Sequence, residues 1–510
     1  MKINIAFLII AVASATSFAQ TTVGLKDVYS SKFKFGNILN SSTVNNNTMK
    51  QLVLREFNSI TPENELKPDA TIVQSGSTNT NVKVQLNNGA KNILQFCQDN
   101  NIPVRGHTLV WHSQTPGWFF RENFNANGAV VSTAVMDQRM ESYIKNMFEL
   151  ITTSYPKLNL YAYDVVNEAS SESGGPRTKG SDAGNGQSMW VQVYGDNSFI
   201  EKAFTYARKY APKTTKLFYN DYNEYIQAKR DYIANSIIKP LKQKGLLDGM
   251  GMQSHLDVRT GSDPYPSPTL YGQAITIYKN LGVEIHVSEL DATINDGNES
   301  YFTGQATYYK NIMNQILTNG GNAVTAVVVW GIQDDQSWRK AKKPLLFNAS
   351  GAKKAAYNEL VKLIPESDWG KPGSSSSVAV SSSSSKASSS SAAVSSSSKA
   401  SSSSVAASSS SKASSSSVAA SSSSRASSSS IAISSSSSSF EISSSSDETL
   451  SSSSSEEEIT PILGSVLSTQ GSQLITYYSL KGEPLGSAKP QKAGIYIIKQ
   501  GYSVKKIVVR

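Results

Sequence analysis

Two glutamates stand out by what precedes them. Glu168 follows Asp164-Val-Val-Asn167, and Glu289 follows Ile285-His-Val-Ser288. A carboxylate at the end of an apolar run is ordinarily a salt-bridged strand terminus, and for either residue alone that explanation suffices. Two of them, on separate runs and each with amide or imidazole groups nearby, fit a different chemistry. Hydrolysis of a glycosidic bond uses two carboxyl groups flanking that bond, about 5 to 5.5 Å apart where configuration is retained. One is protonated and assists the leaving group, while the other is ionised and attacks the anomeric carbon.

Residues this far apart in sequence need a scaffold that brings strand ends together. Eight β-rich runs are separated by helix-like stretches: Phe35 to Leu39, Phe57 to Thr61, Val104 to Val110, Leu160 to Val166, Lys216 to Tyr219, Gly249 to Gln253, Glu284 to Val287 and Ala326 to Trp330. Segments such as Met136 to Ile151 and Ser198 to Tyr210 place apolar residues three and four apart. Eight alternations of this kind predict a closed (β/α)₈ barrel of the α/β class. Nearly every run ends in a polar or aromatic cluster, and in such a barrel all strand C-termini meet at one face. The clusters would therefore share one cleft.

The clusters carry a resemblance. Thr61-Pro-Glu-Asn-Glu-Leu-Lys67, Arg105-Gly-His-Thr-Leu-Val-Trp-His-Ser-Gln114, Asp164-Val-Val-Asn-Glu168, Asn220-Asp-Tyr-Asn223, Gly251-Met-Gln-Ser-His255, Ser288-Glu-Leu-Asp291 and Trp330-Gly-Ile-Gln-Asp-Asp-Gln-Ser-Trp338 resemble glycoside hydrolase family 10, the barrel-fold xylanases. Order and spacing match from about Thr22 to Glu366. The resemblance implies a retaining endo-β-1,4-xylanase acting on xylan and xylo-oligosaccharides, without a cofactor or metal. It implies Glu168 as acid/base, Glu289 as nucleophile, and His255 with Asp291 as the network that fixes Glu289. Glu63, Asn64, Lys67, His107, Gln114 and Asn167 match positions that hold the glycone sugar, Asn167 through the 2-hydroxyl. Trp330 and Trp338 match its aromatic walls, Trp111 lies beside the acid/base, and Tyr222 and Gln253 sit toward the leaving group. Tyr163, Ser288 and Asn348 depart from the family's usual tryptophan, threonine and aspartate without removing a required group. A non-catalytic sugar-binding descendant would usually have lost one of the two glutamates.

The four histidines (His107, His112, His255 and His286) lack zinc-site spacing. Cys97, the single cysteine, sits at helical spacing among apolar residues and is expected to be a buried thiol. Trp118, Trp190 and Trp369 are expected in the core.

The remainder of the 510 residues is organised differently. Residues 1–19 read as a signal peptide: Lys2, an apolar run from Ile3 to Ala13, then Ser17-Phe18-Ala19. The catalytic domain is expected over residues 20–370. Residues 371–458 form a serine tract in which Lys386, Lys399, Lys412 and Arg425 each precede alanine at 13-residue intervals. It has no face to bury and reads as a disordered linker. Residues 459–510 read as short strands resembling the C-terminal sorting domains of type IX secretion. A carbohydrate-binding module is the rival, but no tryptophan follows Trp369. Of the net charge of +9, seven basic residues against Glu483 place +6 in this tail. The barrel region is only modestly basic, which argues against nucleic acid. The expected protein is a secreted monomer, extracellular or at the outer cell surface, meeting secretion machinery or a surface anchor through its tail.

Overall fold

The apolar runs become strands because valine, isoleucine and aromatic residues fit a pleated sheet buried on both faces. The computed structural model describes residues 23–259 and 264–370, together with short stretches between 475 and 509. Its barrel strands are β1 (Lys34–Leu39), β2 (Ser59–Pro62), β3 (Val104–Trp111), β4 (Leu160–Asn167), β5 (Lys216–Asp221), β6 (Gly249–Met252), β7 (Glu284–Ile294) and β8 (Val324–Val329). Neighbours in sequence pair in parallel throughout, and β8 pairs with β1. The sheet closes on itself, so the expected (β/α)₈ barrel is present.

A helix follows each strand. Ser198–Tyr210 spans the residues its periodicity predicts, and Thr133–Ser154 contains the predicted Met136 to Ile151. Asn87 caps Asn88–Asp99 by accepting from the Ala90 amide at 2.8 Å, which helps start the helix that carries Cys97. Its inner face buries Ile93, Leu94 and Cys97, so the thiol is structural, and burial pushes its pKa up. Trp190 is likewise buried, whereas Trp118 and Trp369 are half-buried against the core.

Two departures from the sequence reading matter for the site. β7 does not stop at Val287; it continues to Ile294 and carries Glu289 and Asp291 within it. Its pairing with β8 advances three residues, Val287 to Leu290, against two on the partner, Val327 to Val329. An extra residue of this kind is a bulge that re-aims a side chain. A similar bulge lies between His107 and Val110 of β3. The second departure is a short strand, His255–Arg259, that pairs with the extended end of β7 so that His255 lies opposite Asp291.

Beneath the catalytic level the barrel interior is polar and fully packed. Arg105 bonds Asp164 and contacts His286, Asp164 also meets His107 Nδ1 at 3.0 Å, and the His286 ring stacks on Phe218 at 4.0 Å. Gly251 makes room for this layer: a Cβ there would lie 2.2 Å from Asn220 Oδ1 and 2.6 Å from Arg105 Nη2.

The second unit contributes four described strands, β9 (Ile475–Tyr478), β10 (Pro484–Gly486), β11 (Gly494–Gln500) and β12 (Ser503–Val509), forming an antiparallel sheet in the order β10-β9-β11-β12. The signal-peptide reading of residues 1–19 and the linker reading of 371–458 lie outside the described residues. Among the described residues no helix is long and apolar enough to cross a membrane.

Candidate active site

At the C-terminal ends of successive strands the backbone takes an uncommon turn. Gln114 after β3, Glu168 after β4, Asn223 after β5 and Ser254 after β6 all have positive φ, at 42°, 54°, 50° and 63°. Non-glycine residues hold this conformation at a cost of about 1–3 kcal/mol each, and only where surrounding contacts enforce it. Here the contacts are visible. The Glu168 amide donates to Asn220 O at 2.8 Å, and Ser254 Oγ is held by Glu224 Oε1 at 3.1 Å and the Tyr271 hydroxyl at 2.7 Å.

These turns aim Glu168 into one cleft with Glu289, a concavity of about 620 Å³. A chain of amides joins the two carboxyl groups. Gln253 Nε2 donates to Glu168 Oε1 at 2.9 Å and to Asn167 Oδ1 at 3.1 Å. Asn220 Nδ2 donates to the same Asn167 oxygen at 2.9 Å and to Glu289 Oε1 at 2.7 Å.

Their surroundings push the two pKa values in opposite directions. Burial chiefly raises the Glu168 pKa, and the nearby charges of Asp221 and Glu289 add to it, against hydrogen bonds from Gln253 and from Trp111 Nε1 at 3.0 Å. Burial would also raise Glu289, yet hydrogen bonds from His255 and Asn220 hold it down at about 2. His255 sits between Glu289 Oε2 at 3.1 Å from Nε2 and Asp291 Oδ2 at 3.0 Å from Nδ1. Burial opposes its charge, but Asp291 and then Glu289 overcome that and push it up to about 10. An imidazolium donating from both nitrogens therefore keeps Glu289 ionised at neutral pH.

The other anticipated residues assemble around this pair. Glu63, Asn64, Lys67, His107, Gln114 and Asn167 line one part of the cleft, and Trp111, Tyr222, Gln253, Trp330 and Trp338 complete it. Lys67 Nζ reaches Asn64 Oδ1 at 2.8 Å and Gln114 Oε1 at 3.0 Å and lies over the Trp111 ring. Burial lowers its pKa and raises that of Glu63, whose Oε2 accepts from Asn40 at 2.8 Å. Trp338 is 61 % exposed at the rim, tethered through Nε1 to Asp291 Oδ2 at 3.1 Å. Asp291 is buried behind Glu289 and His255 and does not itself line the cleft. His112, quoted in the same motif as His107, is not a lining residue either; burial lowers it to about 3, so its ring is neutral.

Three residues that contact this site were given no role by the sequence reading. Asn220 sits in a quoted motif but received no role. Arg339, next to Trp338, donates to Asp291 Oδ1 at 2.7 Å. Arg177 follows Gly174-Gly175-Pro176 in a loop where no strand end or periodicity flags it, and its Nε donates to the Glu168 carbonyl at 2.5 Å.

This geometry agrees with the comparisons. The model of glycosyl hydrolase family 10 matches residues 24–363. The chain belongs to that family. As a family 10 glycosyl hydrolase it is 54 % identical over 370 residues to endo-1,4-beta-xylanase Y of Acetivibrio thermocellus, covering 70 % of this chain and 34 % of that protein. It is 43 % identical over 349 residues to the bifunctional endo-1,4-beta-xylanase XylA of Ruminococcus flavefaciens, covering 68 % and 34 %. The chain thus spans about a third of the length of these two curated relatives. A Clostridium thermocellum endo-1,4-beta-D-xylanase 10B structure, solved with xylohexaose, superposes with a TM-score of 0.65 at 53 % identity over 68 % of this chain and 69 % of that one. The intracellular xylanase of Thermoanaerobacterium saccharolyticum gives 0.59 at 31 % identity, covering 66 % and 98 %.

Proposed function

We propose that this chain is a secreted endo-1,4-β-xylanase that cleaves internal β-1,4-xylosidic bonds with retention. The observation that carries the reading is two carboxyl groups lining one cleft, joined through Gln253, Asn167 and Asn220, with His255 set against Glu289 alone. Glu289, ionised and gripped at both oxygens, attacks the anomeric carbon. Glu168, whose burial favours its acid form, delivers its proton to the departing oxygen. Water then attacks the glycosyl ester of Glu289, giving its proton back to Glu168. Asn167 offers a donor for the 2-hydroxyl, and Trp330 and Trp338 offer ring faces to the glycone sugar. The xylanase names of the relatives support xylan as the substrate, and the site needs residues of one chain only, which suits a monomer.

Release of reducing sugar tests this reading. Xylan is expected to be hydrolysed well and soluble cellulose poorly, and a chain ending at Gly370 should keep the full-length rate on soluble xylan. The barrel closes without the tail: Gly370 already docks on Asp27 O at 2.9 Å. An unfolded or inactive truncation would contradict the assignment of residues 20–370 as the catalytic domain.

Export rests on residues 1–19, and sorting or surface attachment on residues 459–510. The antiparallel sheet of β9 to β12 is compatible with a small terminal domain that secretion machinery could recognise. Deleting it should leave hydrolysis intact and change where the protein accumulates.

The pH profile gives a further expected result. Glu289 must be ionised to attack, so the acid limb of kcat/KM follows its pKa. Removing the His255 donor by His255→Ala raises that pKa, and the limb should move up by about 1–2 pH units toward an ordinary glutamate. A limb that stays in place would show that His255 does not set the charge on Glu289.

A further inference from the structure

The double displacement proposed above asks Glu168 to be an acid in its first half and a base in its second. During the second half Glu289 is an ester, and Glu168 must exist as a carboxylate. Its neutral donors, Gln253, Trp111 and Asn167, carry no net charge to favour that state.

Arg177 does carry charge. Its side chain is 5 % exposed, and its Nε bond to the Glu168 carbonyl braces the residue at φ 54°. Its Nη2 lies 3.9 Å from Glu168 Oε2, buried and without a hydrogen-bond partner. Buried donors are nearly always paired, so an orphan aimed at a reacting group calls for a reason.

The surrounding groups leave the Nη2 hydrogens of Arg177 available for this purpose. Lys229 is bound by Asp221 at 3.0 Å and Glu172 at 3.1 Å, and stands over the Tyr222 ring. Asp221 also accepts from Tyr219. A hydrogen bond from the Arg177 side chain to the Tyr222 hydroxyl, with the charges of Tyr222, Asp221 and Glu168, raises the Arg177 pKa against the effect of burial. His112 is neutral, Lys67 is engaged by Asn64 and Gln114, and Glu289 adds negative charge.

We propose that Arg177 is a positioning residue for the acid/base, closing onto Glu168 Oε2 once that carboxyl has lost its proton. In the first step the bond from Glu289 to the anomeric carbon forms, the glycosidic bond breaks, and the Glu168 proton leaves with the departing oxygen. Arg177 then holds the resulting carboxylate as a charge-assisted pair. In the second step water gives its proton to Glu168 as its oxygen displaces Glu289, and the gap to Arg177 reopens. Arg177 stays protonated throughout.

The inference rests on the retaining reading, and an aryl xylobioside with an acidic phenol tests it separately. With that substrate, release of the glycosyl-enzyme limits kcat. Arg177→Gln and Arg177→Met should lower kcat about 10- to 100-fold, leave kcat/KM nearly unchanged at its optimum, and show a burst. Loss of the cation raises the Glu168 pKa in the intermediate, so the rising limb of kcat should move up by about one pH unit. Azide, which needs no base, should restore kcat, and Arg177→Lys should restore much of it without azide. Equal falls in kcat and kcat/KM with unmoved limbs and no azide effect would overturn the proposal. Should the neutral variants fold poorly, Arg177→Lys decides by its limb alone: a smaller upward shift supports the proposal, and a lower kcat with no shift overturns it. Wild-type inactivity on xylan would sink the xylan reading instead, since the Arg177 comparison runs on the aryl substrate.

Discussion

Glu289→Ala should abolish turnover, by on the order of 10⁵-fold as for other covalent nucleophiles, while xylo-oligosaccharides still bind. The side chain is only 6 % exposed, and its removal leaves Glu63, Lys67, His107, Asn167 and the tryptophans of the cleft in place. What is lost is the carboxylate proposed to attack the anomeric carbon. The space vacated is bordered by His255 and Asn220, both donors, and is suited to a small anion. Azide should enter it, attack from the nucleophile's side and yield a glycosyl azide of inverted configuration. Isothermal titration with a xylo-oligosaccharide and product analysis by NMR would read both outcomes. Substantial hydrolysis by this variant without an added nucleophile would remove Glu289 from the role.

Glu168→Ala should damage the enzyme in a way that depends on the leaving group. A xylan linkage departs as a poor alkoxide, so loss of the proton donor should slow its cleavage by about 10²- to 10⁴-fold. An aryl xyloside with an acidic phenol needs little protonation, and formation of its glycosyl-enzyme should be far less affected. Release still requires a base, so rapid phenol appearance should be followed by slow turnover. Stopped-flow absorbance resolves the two phases. Equal loss on both substrates with no burst would assign Glu168 a structural task only.

The barrel was legible because its strands are buried on both faces. Such strands must be short, apolar and β-branched, and they contrast with the amphipathic helices between them. The position of the site followed from the same rule, since polar clusters such as Asn220-Asp-Tyr-Asn223 interrupt apolar runs at one end only. Glu289 lies in the cleft, but its local structure was not legible: a bulge in β7 turns it inward from within a longer strand, and alternation in sequence does not register one extra residue. Arg177 and Arg339 were missed for a related reason. Their roles come from what lies across the cleft rather than from their neighbours in sequence, and a lone arginine in a loop is by default a solvated charge. Asp291 shows the reverse: it was expected beside His255 and Glu289 and is bonded to His255, while its partners Trp338 and Arg339 only the folded chain reveals.

The amide chain between the two carboxyl groups has a polarity. Asn167 Oδ1 accepts from both Asn220 and Gln253, so its oxygen is fully engaged and only hydrogens remain to face the cleft and Glu168. Shape alone does not hold this arrangement, because an aspartate occupies the same outline. Direct hydrolysis of that one amide to an aspartate would leave every strand and helix standing. It would, however, set an oxygen against the Glu168 carboxyl where a hydrogen had been. The working life of such a catalyst and the life of its fold would then run on separate clocks, and an aged preparation could look intact by every measure of structure while having fallen silent.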